Sequence, residues 1–252
     1  MTFVIGNLKT VTLSEIKKTI LDTLFPISCI SCYKPGNWLC KSCLNKIPLK
    51  NIQVCPYCEK MITPNGFTCF GCKKKYSLDG LLVAVSYQDK TVSKAIHLYK
   101  YRFVEELFSV LGNIMLKSIQ NSELPLPDMI IPVPLHKRRL RQRGFNQSKL
   151  LAGYIAEKIT PGFPINLENN LLERFRYTHP QMEIKNHFAR KKNIENAFKI
   201  PKDKLKLVKN KRILLVDDVT TTGATIFECA KTLKKSGAKE VFAVVIARQG
   251  YK

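Results

Sequence analysis

The chain has 252 residues, room for one large domain and a small one. Apolar residues make up 45% and charged residues 24%, as in a globular protein, and no run reaches the ~18 apolar residues needed to span a bilayer. Forty-two Lys+Arg against nineteen Asp+Glu give +23, which points to a polyanionic partner. Eight thiolates around two zinc ions would lower this only to about +19.

Asn7, Lys9, Ser14, Glu15, Lys17 and Lys18 interrupt any secretory apolar region, so the expected location is the cytoplasm. Residues 12–25, TLSEIKKTILDTLF, predict a short amphipathic helix. Thr12 and Glu15 match a capping box, and Leu13, Ile16, Ile20 and Leu24 share a face that packs on the next domain or docks on a membrane surface. Four Cys-x-x-Cys doublets follow: Cys29/Cys32, Cys40/Cys43, Cys55/Cys58 and Cys69/Cys72. Each such turn aims two thiolates at one ion and two turns complete a tetrahedron, so one or two structural Zn2+ ions are expected. In a reducing compartment metal is favoured over disulfides; an iron–sulfur cluster or a redox relay are the alternatives. Sequential pairing is simplest, and an interleaved one stays open. With every coordination position filled by protein, the metal would hold the fold rather than react.

From Gly80 onward strands and helices alternate: a strand at 80–87, helical stretches within 92–120, a strand at 128–133, a helix near 146–159 and a strand near 171–176. A strand at 211–217, a helix near 223–236 and a strand at 240–247 complete the series. This pattern predicts an α/β fold with a parallel sheet and flanking helices. Residues 1–27 form an extension, 28–76 a cysteine-rich domain and 77–252 the α/β domain. Residues 177–199 are polar, and so long a loop inside an α/β domain is more often functional than decorative. Cys229, alone in a predicted helix, reads as a core thiol.

Residues 213–225 read ILLVDDVTTTGAT. A strand can end in two acids by chance. Receiver domains carry such a pair on their first strand but lack the following loop, and the Gly-Lys-Ser/Thr of a nucleotide P-loop is absent. A third reading accounts for every part. Hydroxyls and backbone N–H groups of Thr220, Thr221, Thr222, Gly223, Ala224 and Thr225 at a helix N-terminus make a monophosphate seat, with Gly223 allowing close backbone approach. Asp217 and Asp218 at the strand's carboxyl end can accept hydrogen bonds from a ribose diol. Upstream, Pro132-Val133-Pro134 is followed by His136, Lys137, Arg138, Arg139, Arg141 and Arg143, either a solvated basic turn or a grip on phosphate oxygens. The same cations suit DNA phosphates. Lys185, Arg190, Lys191 and Lys192 can extend that surface, and Tyr177 and Phe188 can stack bases or simply pack. The histidines at 97, 136, 179 and 187 share no metal spacing, and there is no Ser/His/Asp constellation.

The stretch 213–225 resembles the phosphoribosyl pyrophosphate (PRPP) loop of type I phosphoribosyltransferases. IPVPLHKRRLRQRGFNQ (131–147), Thr178, Gln181, Arg190, Asn193 and NAF (196–198), behind a double zinc ribbon, resemble the ComF family of competence proteins, called GntX-like in some bacteria. The likeness runs from Leu24 onward. It implies a type I phosphoribosyltransferase-like fold, PRPP with Mg2+ as ligand, residues 136–143 as the pyrophosphate loop, and Thr178, Gln181, Arg190 and Asn193 in a flexible loop. It further implies a role in natural transformation, handling incoming single-stranded DNA in the cytoplasm or at the inner face of the membrane, beside a competence helicase or inner-membrane DNA channel. The alternative is a true phosphoribosyltransferase acting on a base, a nucleotide or DNA. A third reading is an adaptor whose zinc domain recruits a helicase or membrane channel, with the ribose site as a sensor or a relic. The fold alone is no argument for turnover, and no acceptor-binding residue is identified. Two departures stand out. Residues 1–10 match nothing in the family, and RFRYTHPQMEIKNHFARKKN lacks the family's usual Leu-containing stretch between Gln and Arg.

Overall fold

Four aliphatic, β-branched runs dictate the centre of the molecule. GLLVAVS, MIIP, RILLVDDVT and EVFAVVIAR form β1 (Gly80–Ser86), β2 (Met129–Pro132), β6 (Arg212–Thr220) and β7 (Glu240–Arg248). With the two-residue β3 (Asn166–Leu167) they make a parallel sheet in the order β1-β7-β6-β2-β3. Their near-continuous burial is what a parallel sheet covered on both faces requires. The computed structural model describes residues 27–101, 104, 106–178 and 192–250. The predicted helix at 12–25 and His179, Gln181, Lys185, His187, Phe188, Arg190 and Lys191 lie outside them.

Helices cover the sheet. After α3 (Lys90–Tyr101), α4 (Leu107–Gln120) and α6 (Gln147–Lys158) pack on each other and on the strands. Helix α8 (Ala224–Lys235) contacts β6 and β7 and gives Ile226, Cys229, Ala230 and Leu233 to a core shared with Ile213, Leu215, Val241, Ala243 and Val245. Cys229 is fully buried there, a core thiol. Among the described residues no helix is long and apolar enough to cross a membrane.

The chain divides at Lys46/Ile47 into two compact units. The first holds Cys29–Cys43 and the short helix α1 (Lys41–Asn45). The second holds Cys55–Cys72, helix α2 (Phe70–Lys73) and the whole sheet. Gln53 shows why the second cysteine segment goes with the sheet. Its side-chain amide donates to the Val83 carbonyl (2.9 Å) and accepts from the Val83 N–H (3.2 Å), standing in for a neighbour along edge strand β1.

Three expectations change. The strand near 171–176 shrinks to β4 (Glu173–Arg174), which pairs antiparallel with β5 (Phe198–Lys199) in a separate ribbon rather than in the sheet. The basic segment is not a loop but helix α5 (Lys137–Arg143). Its Lys, Arg, Leu and Gln residues are good helix formers, His136 caps it by accepting from Arg138 N–H (3.2 Å), and Gly144 at φ +75° ends it. The third change is in β6, which runs three residues past its expected end, so the acidic pair lies within the strand. Between α5 and β6, α7 (Leu205–Val208) is a single turn.

At Gly112 the Tyr154 side chain of α6 packs against the α4 backbone. A Cβ there would lie 2.7 Å from Tyr154 Cδ1 and 2.9 Å from its Cγ. Gly112→Val should therefore lower stability by about 1–3 kcal/mol through overpacking. In urea titrations the midpoint should fall with an unchanged slope; an unchanged midpoint would mean that the two helices separate freely.

Candidate functional site

The sheet order reverses at β2: β3 lies on one side of it and β6, much later in the chain, on the other. Such a switch point leaves a crevice beyond the strands' carboxyl ends. A cleft of about 540 Å³ occupies it, lined by Val133–Leu135 after β2, the run Asp217–Thr225, and Gln249 after β7. Helices α3 and α5 close it with Lys100, Arg139 and Arg143.

One wall is the predicted phosphate loop. Gly223 takes φ +81° as N-cap of α8, a left-handed conformation that favours glycine, and a Cβ there would lie 2.4 Å from the Phe227 ring. The glycine thus serves loop geometry and packing against Phe227. Thr220 and Thr222 are buried, and Thr222 Oγ1 accepts from Ala224 N–H (3.3 Å). The start of α8 leaves backbone donors at the cleft, and its dipole favours an anion there.

The acidic pair comes next. Asp217 Oδ1 accepts from Ser148 Oγ (2.8 Å) and from Asp218 N–H (2.9 Å). Ser148 is in place because Asn146 staples the start of α6, donating to the Val133 carbonyl (3.2 Å) and accepting from Ser148 N–H (3.1 Å). Asp218 is buried and paired with Lys100, 3.0 Å away. Burial, then the Asp218 carboxylate, push the Asp217 carboxyl up to about 7, against the pull of Ser148 and Lys100.

The opposite wall is cationic. Helix α5 sorts its charges: Arg139 and Arg143, four residues apart on one face, turn to the cleft, whereas Lys137, Arg138 and Arg141 are exposed. Arg139 donates to the Thr178 carbonyl (3.1 Å) and Arg143 to Gln147 Oε1 (3.3 Å). Arg174, on β4, also lines the cleft although it is buried. It donates to Thr178 Oγ1, and its Nε has no hydrogen-bond partner among the described residues. Burial first, then Arg139, pull its guanidinium down to about 10, still cationic at neutral pH. Burial and the surrounding cations lower His136 as well, keeping its imidazole the acceptor that the cap requires. Arg176 donates to the Asn193 carbonyl (3.1 Å) and to that of Glu195, tying together the two ends of the polar loop. Of the four residues expected in that loop, Thr178 and Asn193 lie at its base and Gln181 and Arg190 lie outside the described residues. Lys100, Ser148 and Arg174 carry no local signature in the sequence; they matter because the fold brings them to the cleft.

Two thiol tetrads complete the inventory: Cys29, Cys32, Cys40 and Cys43, then Cys55, Cys58, Cys69 and Cys72, each with its sulfurs within 4.8 Å of one another. Cys32 and Cys40 are 3.6 Å apart and Cys58 and Cys69 3.9 Å, against an edge of about 3.8 Å in a tetrahedral Zn–S₄ site. Cys40 N–H points at Cys29 Sγ (3.5 Å) and Cys69 N–H at Cys55 Sγ (3.4 Å), donors suited to thiolates. Cys58 is pulled down to about 6, first by the Met61 backbone, whereas burial and then Cys69 and Cys55 push Cys72 up to about 12. Four crowded thiols can all ionise when a dication balances them. Either tetrad can bind zinc.

The chain matches the phosphoribosyl transferase domain over residues 171–252. It is 32% identical over 228 residues to DNA utilization protein YhgH of Shigella flexneri, which spans 86% of this chain and 94% of the relative. It is 28% identical over 232 residues to competence protein F of Haemophilus influenzae, spanning 89% and 98%. Competence protein ComFC of Bacillus subtilis is 25% identical over 214 residues, spanning 81% of each.

The raised Asp217 makes stability depend on pH. An unfolded Asp titrates near about 4, so between that value and about 7 the folded chain holds an extra proton and loses stability as pH rises. Asp217→Asn removes the burden. Its thermal midpoint should exceed the parent's at pH 8 and converge with it below about pH 4. A lower midpoint at pH 8 would mean that Ser148 and Lys100 outweigh the burial.

Proposed function

The chain belongs to the family of competence protein F and DNA utilization protein YhgH, and on that premise we propose that it handles incoming single-stranded DNA during natural transformation, with a PRPP·Mg2+ cleft and structural zinc. The observation that carries the ligand reading is the polarity of one cleft: an anion-seeking loop, then two carboxylates, then a wall of arginines. PRPP has the same order of groups. Its 5′-phosphate suits residues 220–225, its ribose diol suits Asp217 and Asp218, and its pyrophosphate suits Arg139, Arg143 and Arg174. Lys100 pairs with Asp218 beside the same carboxylates. Mg2+, when bound with PRPP beside the acidic pair, would supply charge neutralisation for the pyrophosphate. The exposed Lys137, Arg138 and Arg141 suit DNA phosphates, with contacts that carry no sequence information. Eight thiols grouped for metal suit a reducing cytoplasm. A position at the inner face of the membrane, beside a helicase or DNA channel, belongs to the same reading.

Titration of PRPP with Mg2+, followed both as heat and as released pyrophosphate, tests the ligand. Saturable binding is expected, weakened at least about tenfold by Asp217→Ala with Asp218→Ala. Absence of saturation would sink the ligand reading, whereas pyrophosphate release tied to one base, nucleotide or DNA acceptor would make the protein a phosphoribosyltransferase.

DNA binding should weaken steeply with salt, at about 0.7 log units per log unit for each phosphate contact. Replacing Lys137, Arg138 and Arg141 by Gln should reduce that slope by about 2 and leave PRPP affinity unchanged. A flat salt dependence in the parent would rule out a phosphate-dominated interface.

A further inference from the structure

Arg248, the last residue of β7, is paired in register with Thr220 at the end of β6. Its side chain is only 9% exposed, yet each nitrogen has a defined acceptor. Nε donates to the Thr221 carbonyl (3.1 Å) and Nη2 reaches the Thr222 carbonyl (3.4 Å), both in the phosphate loop. Nη1 donates to the Pro56 carbonyl (3.1 Å), and Nη2 pairs with Glu59. Pro56 and Glu59 belong to the turn that carries Cys55 and Cys58 of the second tetrad. In that turn Glu59 is left-handed (φ +55°) and its N–H donates to the Cys55 carbonyl (3.0 Å). One planar, buried cation therefore grips the cysteine turn and two successive peptides of the loop.

A second path joins the same two places. The Tyr57 ring, between Cys55 and Cys58, stacks on Phe227 with centroids 4.2 Å apart. Phe227 fills the space beside Gly223. On its other side Tyr57 stacks on Tyr76 (4.0 Å), and its hydroxyl accepts from Leu78 N–H (2.9 Å). The loop is thus held from the strand side by Arg248 and from the helix side by Phe227, and both supports rest on the turn between two thiol ligands. The contact also has a direction. In a trans peptide C=O and N–H point opposite ways. Holding the carbonyls of Thr221 and Thr222 toward Arg248 turns the N–H groups of Thr222 and Gly223 away from it, as donors for an anion.

We propose that the second cysteine tetrad and the phosphate loop are linked sites: a thiophilic dication in the tetrad and a ribose-phosphate ligand in the cleft each strengthen the binding of the other, with Arg248 as the positioning residue between them. The ligand half rests on the PRPP reading above. The dication fixes the Cys55–Glu59 turn, the turn fixes the guanidinium, and the guanidinium fixes two peptides of the loop. Because linkage is reciprocal, the same factor must be found from both ends. A residue that merely supported the fold would weaken both sites without coupling them.

The test uses the full chain carrying Cys32→Ser, which leaves the first tetrad three thiolates and weakens Zn2+ there, so that the more tightly held Zn2+ is read at the second. Zn2+ retention is measured by chelator competition with and without saturating PRPP·Mg2+, and PRPP affinity is measured by calorimetry with the second tetrad loaded and stripped. PRPP should tighten Zn2+ binding by roughly 5- to 50-fold, and Zn2+ should tighten PRPP binding by the same factor. In Arg248→Gln the factor should fall toward 1 while Zn2+ still binds; Arg248→Lys, which cannot bridge four acceptors, should not restore it. Equal PRPP affinity in loaded and stripped protein overturns the linkage and leaves the PRPP reading intact. No PRPP binding in any form overturns both. If the stripped chain unfolds, the PRPP effect on Zn2+ retention still decides, and a factor of 1 there overturns the linkage. A fall in PRPP affinity on Cys32→Ser in the loaded parent as large as that on stripping the second tetrad would overturn the assignment to that tetrad.

Discussion

The parallel pairing of β6 between β2 and β7 fixes where every charged group of the cleft can go. Register with β2 sets Val216 against Pro132, so the acidic pair begins where β2 gives way to the segment leading into α5. Register with β7 sets Thr220 against Arg248, so the turn that follows β6 starts beside the Arg248 guanidinium. Aliphatic residues buried on both faces hold these registers, since a one-residue slip would exchange Ile213 and Leu215 with residues facing the other layer. The chemistry of the cleft is a boundary condition set by the core.

Within that frame the cleft keeps groups that the core would reject. Two carboxylates sit side by side within β6, and Arg174 is buried beside Arg139 with one nitrogen unsatisfied among the described residues. Such arrangements lower stability and persist at sites where a ligand completes them. On the reading proposed above, a ligand with hydroxyls next to phosphates would relieve both ends at once, its hydroxyls donating to the acids and its phosphates accepting from the arginines. Uniformly charged polymers match only one wall.

The helical form of residues 137–143 separates two roles that a loop would mix. Because residues four apart share a helix face, Arg139 and Arg143 turn inward while Lys137, Arg138 and Arg141 stay in solvent. On the reading proposed above, a compact pyrophosphate and an extended DNA backbone would meet different members of the same basic run. The exposed three are screened by salt, whereas the inner pair sits by low-dielectric walls where charge counts for more.

By itself the sequence determined what depends on local pattern. Alternation of aliphatic strands with amphipathic helices set the α/β class, and four Cys-x-x-Cys turns marked the thiols for metal, though only the structure grouped them as two sequential tetrads. The run 213–225 marked a strand, an acidic pair and a helix start, because strand periodicity, glycine conformation and helix-end donors act over a few residues. Only the tertiary structure decided which distant residues complete the site. Lys100 meets Asp218 across 118 positions, Arg248 meets Pro56 across 192, and Arg174 reaches the cleft from a ribbon outside the sheet. Their side chains look like any surface Lys or Arg in the sequence. It takes the long-range pairing of β6 and β7, the packing of α3 and the β4–β5 ribbon to remove them from water, and burial is what gives a cation a specific partner instead of a solvated face.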